Sequence, residues 1–392
     1  MGNLVKRSYW IKKIEEFWKE RSIIWLTGVR RTGKTSLSHS LDKVEYFDCE
    51  LPRVRRMMED PEDFLSEFKG NRIVLDEIHR LSNPSELLKI AADHYPTVRV
   101  LATGSSTLGA SRKFKDTLTG RKLQLWLTPM ILRDLTDFKK ENLKHRLSYG
   151  GLPLFFQSSK LFEKGFQYWM DDYWAKDIQE LFRLESKQSF QKFTELVIVQ
   201  SGGIFEATKF TSPCEVSRMT IMNYLHVLEE TFVAHVVKPY SSHRATEIIS
   251  SPKVYAFDTG FVSYYKGWSE LRKEDLGYLW EHFVLNEIYA QTQLRKVNYW
   301  RDKRGHEIDF VLADREKSPI AIECKWSGSD IDPTGLKAFR KIYSKGENYI
   351  VASNIERSYT KHYDGLKAKF VSLQELTEKI SNRQPADRLA MT

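Results

Sequence analysis

The stretch GVRRTGKTS, residues 28–36, constrains the fold of this chain more than any other feature of the sequence. It places Gly28, Gly33, Lys34 and Thr35 in the order G-x-x-x-x-G-K-[ST], after an apolar run typical of a buried strand and before a helical pattern. Glycines let backbone N–H groups approach an anion, and the start of a helix adds partial positive charge. The stretch therefore predicts a phosphate-binding loop that joins a strand to a helix.

The side chains of this loop predict how it would hold a nucleoside triphosphate. Lys34 is expected to reach the β- and γ-phosphates, and Thr35 is expected to ligate Mg²⁺. Further phosphate contacts are predicted for Gly28, Arg31, Thr32, Gly33 and Ser36. ATP and Mg²⁺ are therefore the predicted cofactors.

Two later strand ends carry the rest of this predicted site. The stretch RIVLDEIHR, residues 72–80, ends four apolar residues with Asp76 and Glu77. Ligands of open α/β sheets bind at such strand ends, so Asp76 is predicted to hold the metal through water and Glu77 to polarise the attacking water. VRVLATGSS places Thr103, with Ser105 near it, where a γ-phosphate sensor belongs. The motifs in this order predict ATP hydrolysis.

The order of apolar runs predicts an α/β protein with several domains. Short apolar runs alternate with helical segments from residue 22 to about 130, which is typical of a largely parallel sheet. Helical and aromatic patterns follow, then a helix-rich module, and then strand-like runs again. The predicted domains are a nucleotide-binding core at 1–130, a helical lid or linker at 131–187, a winged helix at 188–257, an α/β domain at 258–380 and a frayed tail at 381–392.

The predicted winged helix consists of three helical patterns followed by two strand-like runs around a polar loop. Its third helix has an apolar stripe of Ile221, Leu225 and Leu228, and polar residues lie off that stripe near its start. A recognition helix places such residues against base edges or phosphates. The candidate DNA contacts are Ser217, Arg218, Thr220, Asn223, His243 and Arg244. The alternative is that this module packs against the ATPase core or a neighbouring subunit.

Charged residues recur on two strand-like runs near the C-terminus. Because side chains alternate along a strand, the run HEIDFVL is expected to bury Ile308, Phe310 and Leu312 on one face. Glu307 and Asp309 would then share the opposite face. The polar turn that follows is short enough for an antiparallel pair with the next run, IAIECKW.

The run IAIECKW is expected to bury its aliphatic residues and to present Glu323 and Lys325. A helical pattern at 278–290 adds Glu281, which lies on the inward stripe of Val284, Leu285 and Ile288. Carboxylates gathered in a partly buried place repel one another, so they favour a cation such as Mg²⁺. The alternative is a hairpin with a solvated charged face.

Composition adds weaker indications. The formal charge of +9 favours a polyanionic partner; the alternative is a cytosolic protein that is merely basic. No apolar stretch approaches the ~18 residues of a membrane span. Cys49, Cys214 and Cys324 are far apart, which argues against structural zinc or a disulfide framework. A cytoplasmic protein with no membrane contact is expected.

Motifs along nearly the whole chain resemble a prokaryotic family of AAA-type ATPases fused to a C-terminal domain. The matching stretches are GVRRTGKTSL, VLDEIH, LATGSS, LTGR, GGLP, YWAKDI, KVYAFDTG, LWEHFVLNEI, YWRDKRGHEIDF and ECKW. The resemblance implies an AAA+ P-loop NTPase domain, a helical lid, a winged helix and a restriction-endonuclease-like α/β domain. It also implies a homo-oligomer such as a hexamer, in which Arg121 acts on the neighbouring subunit's nucleotide; the alternative for Arg121 is a surface arginine. Val29 departs from the family's usual proline.

The order Glu281, Asp309, Glu323-x-Lys325 is similar to the PD-(D/E)XK nucleases, and especially to Holliday-junction resolvases. That resemblance implies that Asp309 and Glu323 hold Mg²⁺, that Glu281 assists, and that Lys325 orients or activates the attacking water. The branch often carries a glutamine and a tyrosine on the following helix, where this chain offers only Tyr343. Binding of DNA without cleavage therefore stays open beside cleavage.

Three functions are compatible with these predictions. The first is an ATP-driven machine that remodels or translocates DNA, including branched DNA such as Holliday junctions. The second is an ATP-gated signalling or defence switch whose nuclease-like domain is a scaffold or a regulated effector. The third is a Mg²⁺-dependent nuclease in which ATP only regulates.

Overall fold

The structure is a computed structural model that describes residues 4–104, 118–159, 163–179, 182, 184, 186–241, 251–294, 296–314, 317–329 and 331–382. These residues form two sheets flanked by helices. Among the described residues, no helix is both long enough and apolar enough to cross a membrane.

The first sheet has five strands in the order β2-β3-β4-β1-β5. Its strands are β1 (Ile23–Thr27), β2 (Glu45–Asp48), β3 (Arg72–Asp76), β4 (Arg99–Thr103) and β5 (Lys122–Trp126). Every pairing between them is parallel, which confirms the predicted parallel sheet. Both faces are covered, because Trp25 packs in one hydrophobic cluster and Leu26 in another. The carboxyl ends of β1, β3 and β4 therefore meet at one edge.

Helices surround this sheet and continue into the predicted lid. Around the sheet lie α1 (Ser8–Glu20), α2 (Lys34–His39), α3 (Pro52–Met57), α4 (Pro61–Ser66) and α5 (Pro84–His94). The lid contains α6 (Leu132–Asp137), α7 (Leu143–Tyr149), α8 (Pro153–Phe156) and α9 (Glu163–Tyr173), and α9 continues as a π-helical turn, Trp174–Ile178.

The remaining helices belong to the predicted winged helix and C-terminal domain. They are α10 (Lys187–Val199), α11 (Thr208–Cys214), α12 (Arg218–Glu230), α13 (Thr259–Tyr265), α14 (Lys273–Thr292), α15 (Thr334–Ile342) and α16 (Leu373–Asn382). From Leu279 to Thr292 every residue of α14 is buried except Glu281, which is half-buried. The prediction of one inward-facing stripe is therefore too narrow for α14, because other elements surround this part of the helix on nearly all sides.

The second sheet has nine strands in the order β13-β14-β12-β11-β10-β9-β7-β8-β6. They are β6 (Gly203–Ile204), β7 (Ala234–Pro239), β8 (Lys253–Ala256), β9 (Asn298–Arg301), β10 (Glu307–Asp314), β11 (Lys317–Lys325), β12 (Asn348–Ala352), β13 (Tyr359–Tyr363) and β14 (Leu366–Val371). β10 and β11 pair antiparallel, as predicted. β7 pairs antiparallel with β8 and parallel with β9, so one sheet passes across the predicted boundary between the winged helix and the C-terminal domain.

The face alternation predicted for HEIDFVL is wrong for Ile308, whereas Phe310 and Leu312 pack in the same hydrophobic cluster as predicted. The register between β10 and β9 shifts between Ile308 and Val311, which marks a β-bulge or a similar irregularity. Ile308 and Val311 consequently pack in one hydrophobic cluster with residues of α15, whereas Phe310 packs with residues of α14 in another. An extra residue at a bulge reverses the alternation beyond it. Both faces of this hairpin are therefore covered.

Candidate functional site

The loop between β1 and α2 adopts a backbone conformation that requires glycine at two positions. Gly28 has a φ of +147°, and a Cβ there would lie 2.3 Å from the carbonyl oxygen of Leu127. Gly33 has a φ of +95°. The Thr32 carbonyl accepts a hydrogen bond of 2.9 Å from the Arg7 guanidinium, which ties the loop to the start of α1. A side chain at Gly28 would thus displace the loop from the sheet.

Lys34 lies at the centre of this loop. Its Nζ donates hydrogen bonds to the carbonyl oxygens of Gly28 at 2.9 Å and Val29 at 3.2 Å. Burial lowers the pKa of Lys34, and the nearby carboxylates of Glu77 and Asp177 oppose that shift. The hydroxyl-bearing residues that follow it, Thr35 and Ser36, are exposed at the start of α2. A cation and open hydroxyls suit a triphosphate with its metal ion.

Asp76, Glu77 and Thr103 come together at the edge of the first sheet, as predicted. The Thr103 hydroxyl donates to the buried Asp76 carboxylate and accepts a hydrogen bond of 3.3 Å from the Glu77 N–H. Sequence reasoning missed Tyr46, whose hydroxyl also donates to Asp76. Tyr46 lies on β2, which pairs with β3, so strand adjacency was the available signal. Ser105, which the sequence places near the predicted sensor Thr103, lies outside the described residues.

Glu77 is held in a distinct conformation at the end of β3. Its φ is +52°, in the left-handed region, and its carboxylate lies 3.1 Å from Nδ1 of His79. Burial raises the pKa of Glu77, but His79, Lys34 and Arg30 outweigh that effect and bring it below its usual value. Glu77 is therefore ionised beside the loop, as a residue that polarises water must be.

Arg121, the predicted finger, lies just before β5. Its Nε donates to the Asp93 carboxylate at 2.7 Å, and about a third of each side chain is exposed. Within its own chain Arg121 is thus part of a surface ion pair at the end of α5. Action on a neighbouring subunit stays a prediction.

The candidate DNA contacts divide into several environments. The Ser217 hydroxyl caps α12 by accepting a hydrogen bond of 3.1 Å from the Thr220 N–H, and Thr220 is half-buried. Arg218 and Asn223 are exposed on the same helix. His243 and Arg244 lie outside the described residues. The exposed face of α12 therefore offers one cation and one amide to a partner.

The C-terminal acids are brought together from α14, β10 and β11. Asp309 accepts a hydrogen bond of 2.7 Å from the Cys324 N–H, which holds it against β11. Glu323 lies 3.1 Å from the Lys325 ammonium. Glu323 is buried, and the nearby carboxylates of Asp309 and Glu281 add to the effect of burial in raising its pKa, so all three share one neighbourhood.

Two residues of β8 complete this cluster, and sequence reasoning missed both. The Tyr255 hydroxyl donates to Glu281 at 2.5 Å. The buried Lys253 ammonium pairs with Glu307 and lies 3.7 Å from Glu281. Alternation along KVYA would have placed Lys253 and Tyr255 on one face of a strand, although not toward these acids.

Two lysines, Lys253 and Lys325, offset part of the negative charge of this cluster. Burial and the Asp309 carboxylate raise the pKa of both Glu281 and Glu323, whereas Lys253 and Lys325 respectively oppose those shifts. Burial lowers the pKa of Lys253, but the surrounding carboxylates outweigh it and raise that pKa to about 12. The two lysines therefore stay protonated and partly neutralise the acids.

The donor set of this cluster suits Mg²⁺, which prefers carboxylate oxygens and retains several waters. Within the described parts of the chain, no group of three or more His, Cys, Asp and Glu side chains is arranged to hold a metal ion. Asp309 and Glu323 are the residues that would hold it, with Lys325 beside them. Their roles as ligands stay a prediction.

Comparison with known proteins divides the chain into three matched segments. Residues 20–136 match the AAA domain family. Residues 140–272 match the domain of unknown function DUF8612, and residues 276–374 match the domain of unknown function DUF4143. Uncharacterized proteins of Mycobacterium tuberculosis (Rv2008c) and Mycobacterium bovis (Mb2031c) are each 26% identical over 315 residues, spanning 77% of this chain and 70% of theirs.

Solved structures give more distant matches. The Walker-type ATPase PABY2304 of Pyrococcus abyssi is 14% identical, with a TM-score of 0.42 over 67% of this chain and 96% of its own. AMPPCP-bound DnaA from Aquifex aeolicus is 11% identical, with a TM-score of 0.29 over 57% of this chain and 88% of its own. The assignment of the N-terminal part rests on the AAA match together with the loop, the strand ends and their side chains. Residues 20–136 form an AAA-type P-loop ATPase domain.

Proposed function

We propose that this chain is an ATP-hydrolysing enzyme that binds and acts on DNA as a homo-oligomer, with a PD-(D/E)XK nuclease-type domain at its C-terminus. The observation that carries the proposal is the meeting of Asp309, Glu323 and Lys325 at the junction of β10 and β11, in a chain that also contains an ATPase domain. Acids that can hold a metal ion, with a lysine beside them, can polarise a phosphodiester and orient the attacking water.

Each part of the chain has a role in this proposal. ATP hydrolysis at Lys34 and Glu77 would drive remodelling or translocation of DNA, including branched DNA. The winged helix would contact the duplex through Arg218 and Asn223, which are exposed. Mg²⁺, when held by Asp309 and Glu323, would polarise a phosphodiester. The formal charge of +9 favours binding to a polyanion.

The second candidate function is an ATP-gated switch that acts through a protein partner. The exposed face of α12 favours it, because Met219 is 68% exposed and Met222 is 41% exposed. Exposed methionines on one helix face are typical of adaptable protein-binding surfaces. In this alternative the nuclease-type domain is a scaffold or a regulated effector.

Hydrolysis and binding assays on defined DNA forms separate the two functions. Purified protein with Mg²⁺ would be given duplex, single-stranded, forked and four-way DNA, with and without ATP, beside an Asp309→Ala variant. We expect DNA to stimulate hydrolysis, binding to weaken steeply with salt, and any cleavage to be lost in Asp309→Ala. Hydrolysis that is indifferent to every DNA form would contradict the DNA function and favour the switch.

A further inference from the structure

The phosphate loop is held by the lid at three points. Arg30 Nε donates to the Asp177 carboxylate at 2.6 Å, and Arg31 Nη2 donates to the Asp172 carboxylate at 2.5 Å. The indole N–H of Trp169 donates to the Arg30 carbonyl oxygen at 3.2 Å. We call residues 169–178 the latch segment. Among the residues of these contacts only Arg31 has a predicted role, as a phosphate contact; Arg30, Trp169, Asp172 and Asp177 have none.

The two ion pairs differ in environment. The side chain of Asp177 is 6% exposed, whereas that of Asp172 is 34% exposed. A buried carboxylate is costly unless it is paired, so Asp177 depends on the cations around it. Asp177 lies in the π-helical turn, and such turns occur often at functional sites.

Asp177 faces the same cations that a triphosphate would meet. Burial raises the pKa of Asp177, the Arg30 and Lys34 cations oppose that shift, and Glu77 adds to it. The carboxylate is therefore close enough to both Lys34 and Glu77 to interact electrostatically with them. Phosphates approaching Lys34 would bring further negative charge to a place that already holds Asp76, Glu77 and Asp177.

We propose that Asp177 is an internal anion that occupies the cations of the phosphate loop and thereby sets nucleotide affinity. Binding of a triphosphate displaces the Asp177 carboxylate from Arg30 and loosens the latch segment. Two other roles would have different consequences. If Asp177 positions Arg30 for phosphate contact, its loss weakens binding; if it only anchors the lid, its loss leaves phosphate affinity unchanged.

Equilibrium binding of a non-hydrolysable ATP analogue, measured by titration calorimetry, tests the sign of this effect. We expect Asp177→Asn to tighten binding about tenfold, since an adjacent like charge is removed at low dielectric. The gain should shrink from the triphosphate to ADP and vanish for adenosine. Asp172→Asn, which alters the more exposed pair on the same loop, should change affinity less than about twofold. Asp177→Glu should keep wild-type affinity.

Weaker or unchanged binding in a folded Asp177→Asn variant would overturn the proposal, as would a gain that is equal for adenosine. If that variant does not fold, hydrogen exchange on the wild-type chain decides instead. We expect the analogue to speed exchange in the latch segment, and slower exchange there would overturn the proposal. The proposal rests on the ATPase domain and not on DNA; a wild-type chain that binds no nucleotide would overturn both the ATPase assignment and this proposal.

Discussion

The nucleotide site and the C-terminal acid cluster are built in opposite ways. The nucleotide site uses the carboxyl ends of neighbouring parallel strands, and it leaves Thr35 and Ser36 open. The acid cluster draws on α14, β8, β10 and β11, and its acids already have partners within the chain, such as Tyr255 for Glu281 and Lys325 for Glu323. The first site presents exposed hydroxyls to a ligand, whereas the acids of the second are partly neutralised by Lys253 and Lys325.

This difference predicts how each site responds when its lysine is removed. At the nucleotide site, removing the lysine should lower activity, because its ammonium neutralises the negative charge of the bound phosphates. At the acid cluster, removing a lysine should first lower the free energy of unfolding, because carboxylates in the interior lose their counter-charge.

The largest effect is expected at Lys34. Lys34→Ala removes the cation that faces the phosphates and should lower the rate of ATP hydrolysis at least about 100-fold, as measured by phosphate release. Lys12→Ala, an exposed lysine on α1, is the control and should keep the wild-type rate. A Lys34→Ala variant that hydrolyses ATP within a few-fold of wild type would show that the loop is not the catalytic site.

The next effect is expected at Lys253. Lys253→Met leaves Glu281 and Glu307 buried or half-buried without their ammonium partner, which should lower the free energy of unfolding by about 3 to 5 kcal/mol in urea titrations. Lys238→Met is the control, because Lys238 is exposed on β7 of the same sheet. Equal losses in both variants would show that the ion pairs of Lys253 contribute little.

Mg²⁺ provides a second measurement on the same variant. If the carboxylates around Lys253 can take a divalent cation, Mg²⁺ should raise the thermal midpoint of Lys253→Met more than that of wild type. Equal shifts would indicate that Lys253 does not compete with a metal, and would weaken the assignment of this cluster as a magnesium site.

The sequence predicted those features that depend on residues close together in the chain. The phosphate loop and the strand that ends at Asp76 are local, so their residues and strands could be identified without tertiary information. Asp177 was missed because its contact with Arg30 spans 147 residues of chain. The adjacency of Tyr46 and Asp76 depends on which strands pair in the sheet. Contacts of that kind are chosen by packing, which a single motif does not encode.

The C-terminal cluster shows the same limit in another form. Asp309 and Glu323 were found because strand alternation and the ECKW motif mark them. Alternation assumes a regular strand, and the register shift in β10 moved Ile308 to the face opposite Phe310. Lys253 was missed because the pairing of β7 with β9, which joins two predicted domains into one sheet, is not visible in either segment alone.

A smaller, pH-dependent effect is expected at His282, the residue that follows Glu281 of the acid cluster on α14. Nε2 of His282 lies 2.6 Å from the Ser201 hydroxyl and Nδ1 lies 2.8 Å from the Tyr278 carbonyl, so the neutral ring can accept at one nitrogen and donate at the other. Burial lowers the pKa of His282 from 6.5 to about 4. The unfolded chain therefore binds the proton first as pH falls.

The sign of this effect follows from that order of protonation. Stability from His282 is fully present above pH 6.5 and is lost as pH falls toward 4, by about 3 kcal/mol in total. Urea titrations of wild type and His282→Gln across that range isolate it, since the acids contribute to both proteins alike. Parallel pH profiles of the two proteins would contradict the prediction.

The smallest effect is expected at Ser217, where a helix cap and a candidate DNA contact coincide. Ser217→Ala removes the oxygen that accepts from the Thr220 N–H and should cost about 1 kcal/mol of unfolding free energy, whereas Ser217→Thr keeps the cap. If Ser217 only caps α12, both variants should bind DNA as wild type does, while Arg218→Gln weakens binding and reduces its salt dependence. If Ser217→Ala weakened DNA binding by more than its loss of unfolding free energy explains, Ser217 would be a direct contact with the DNA.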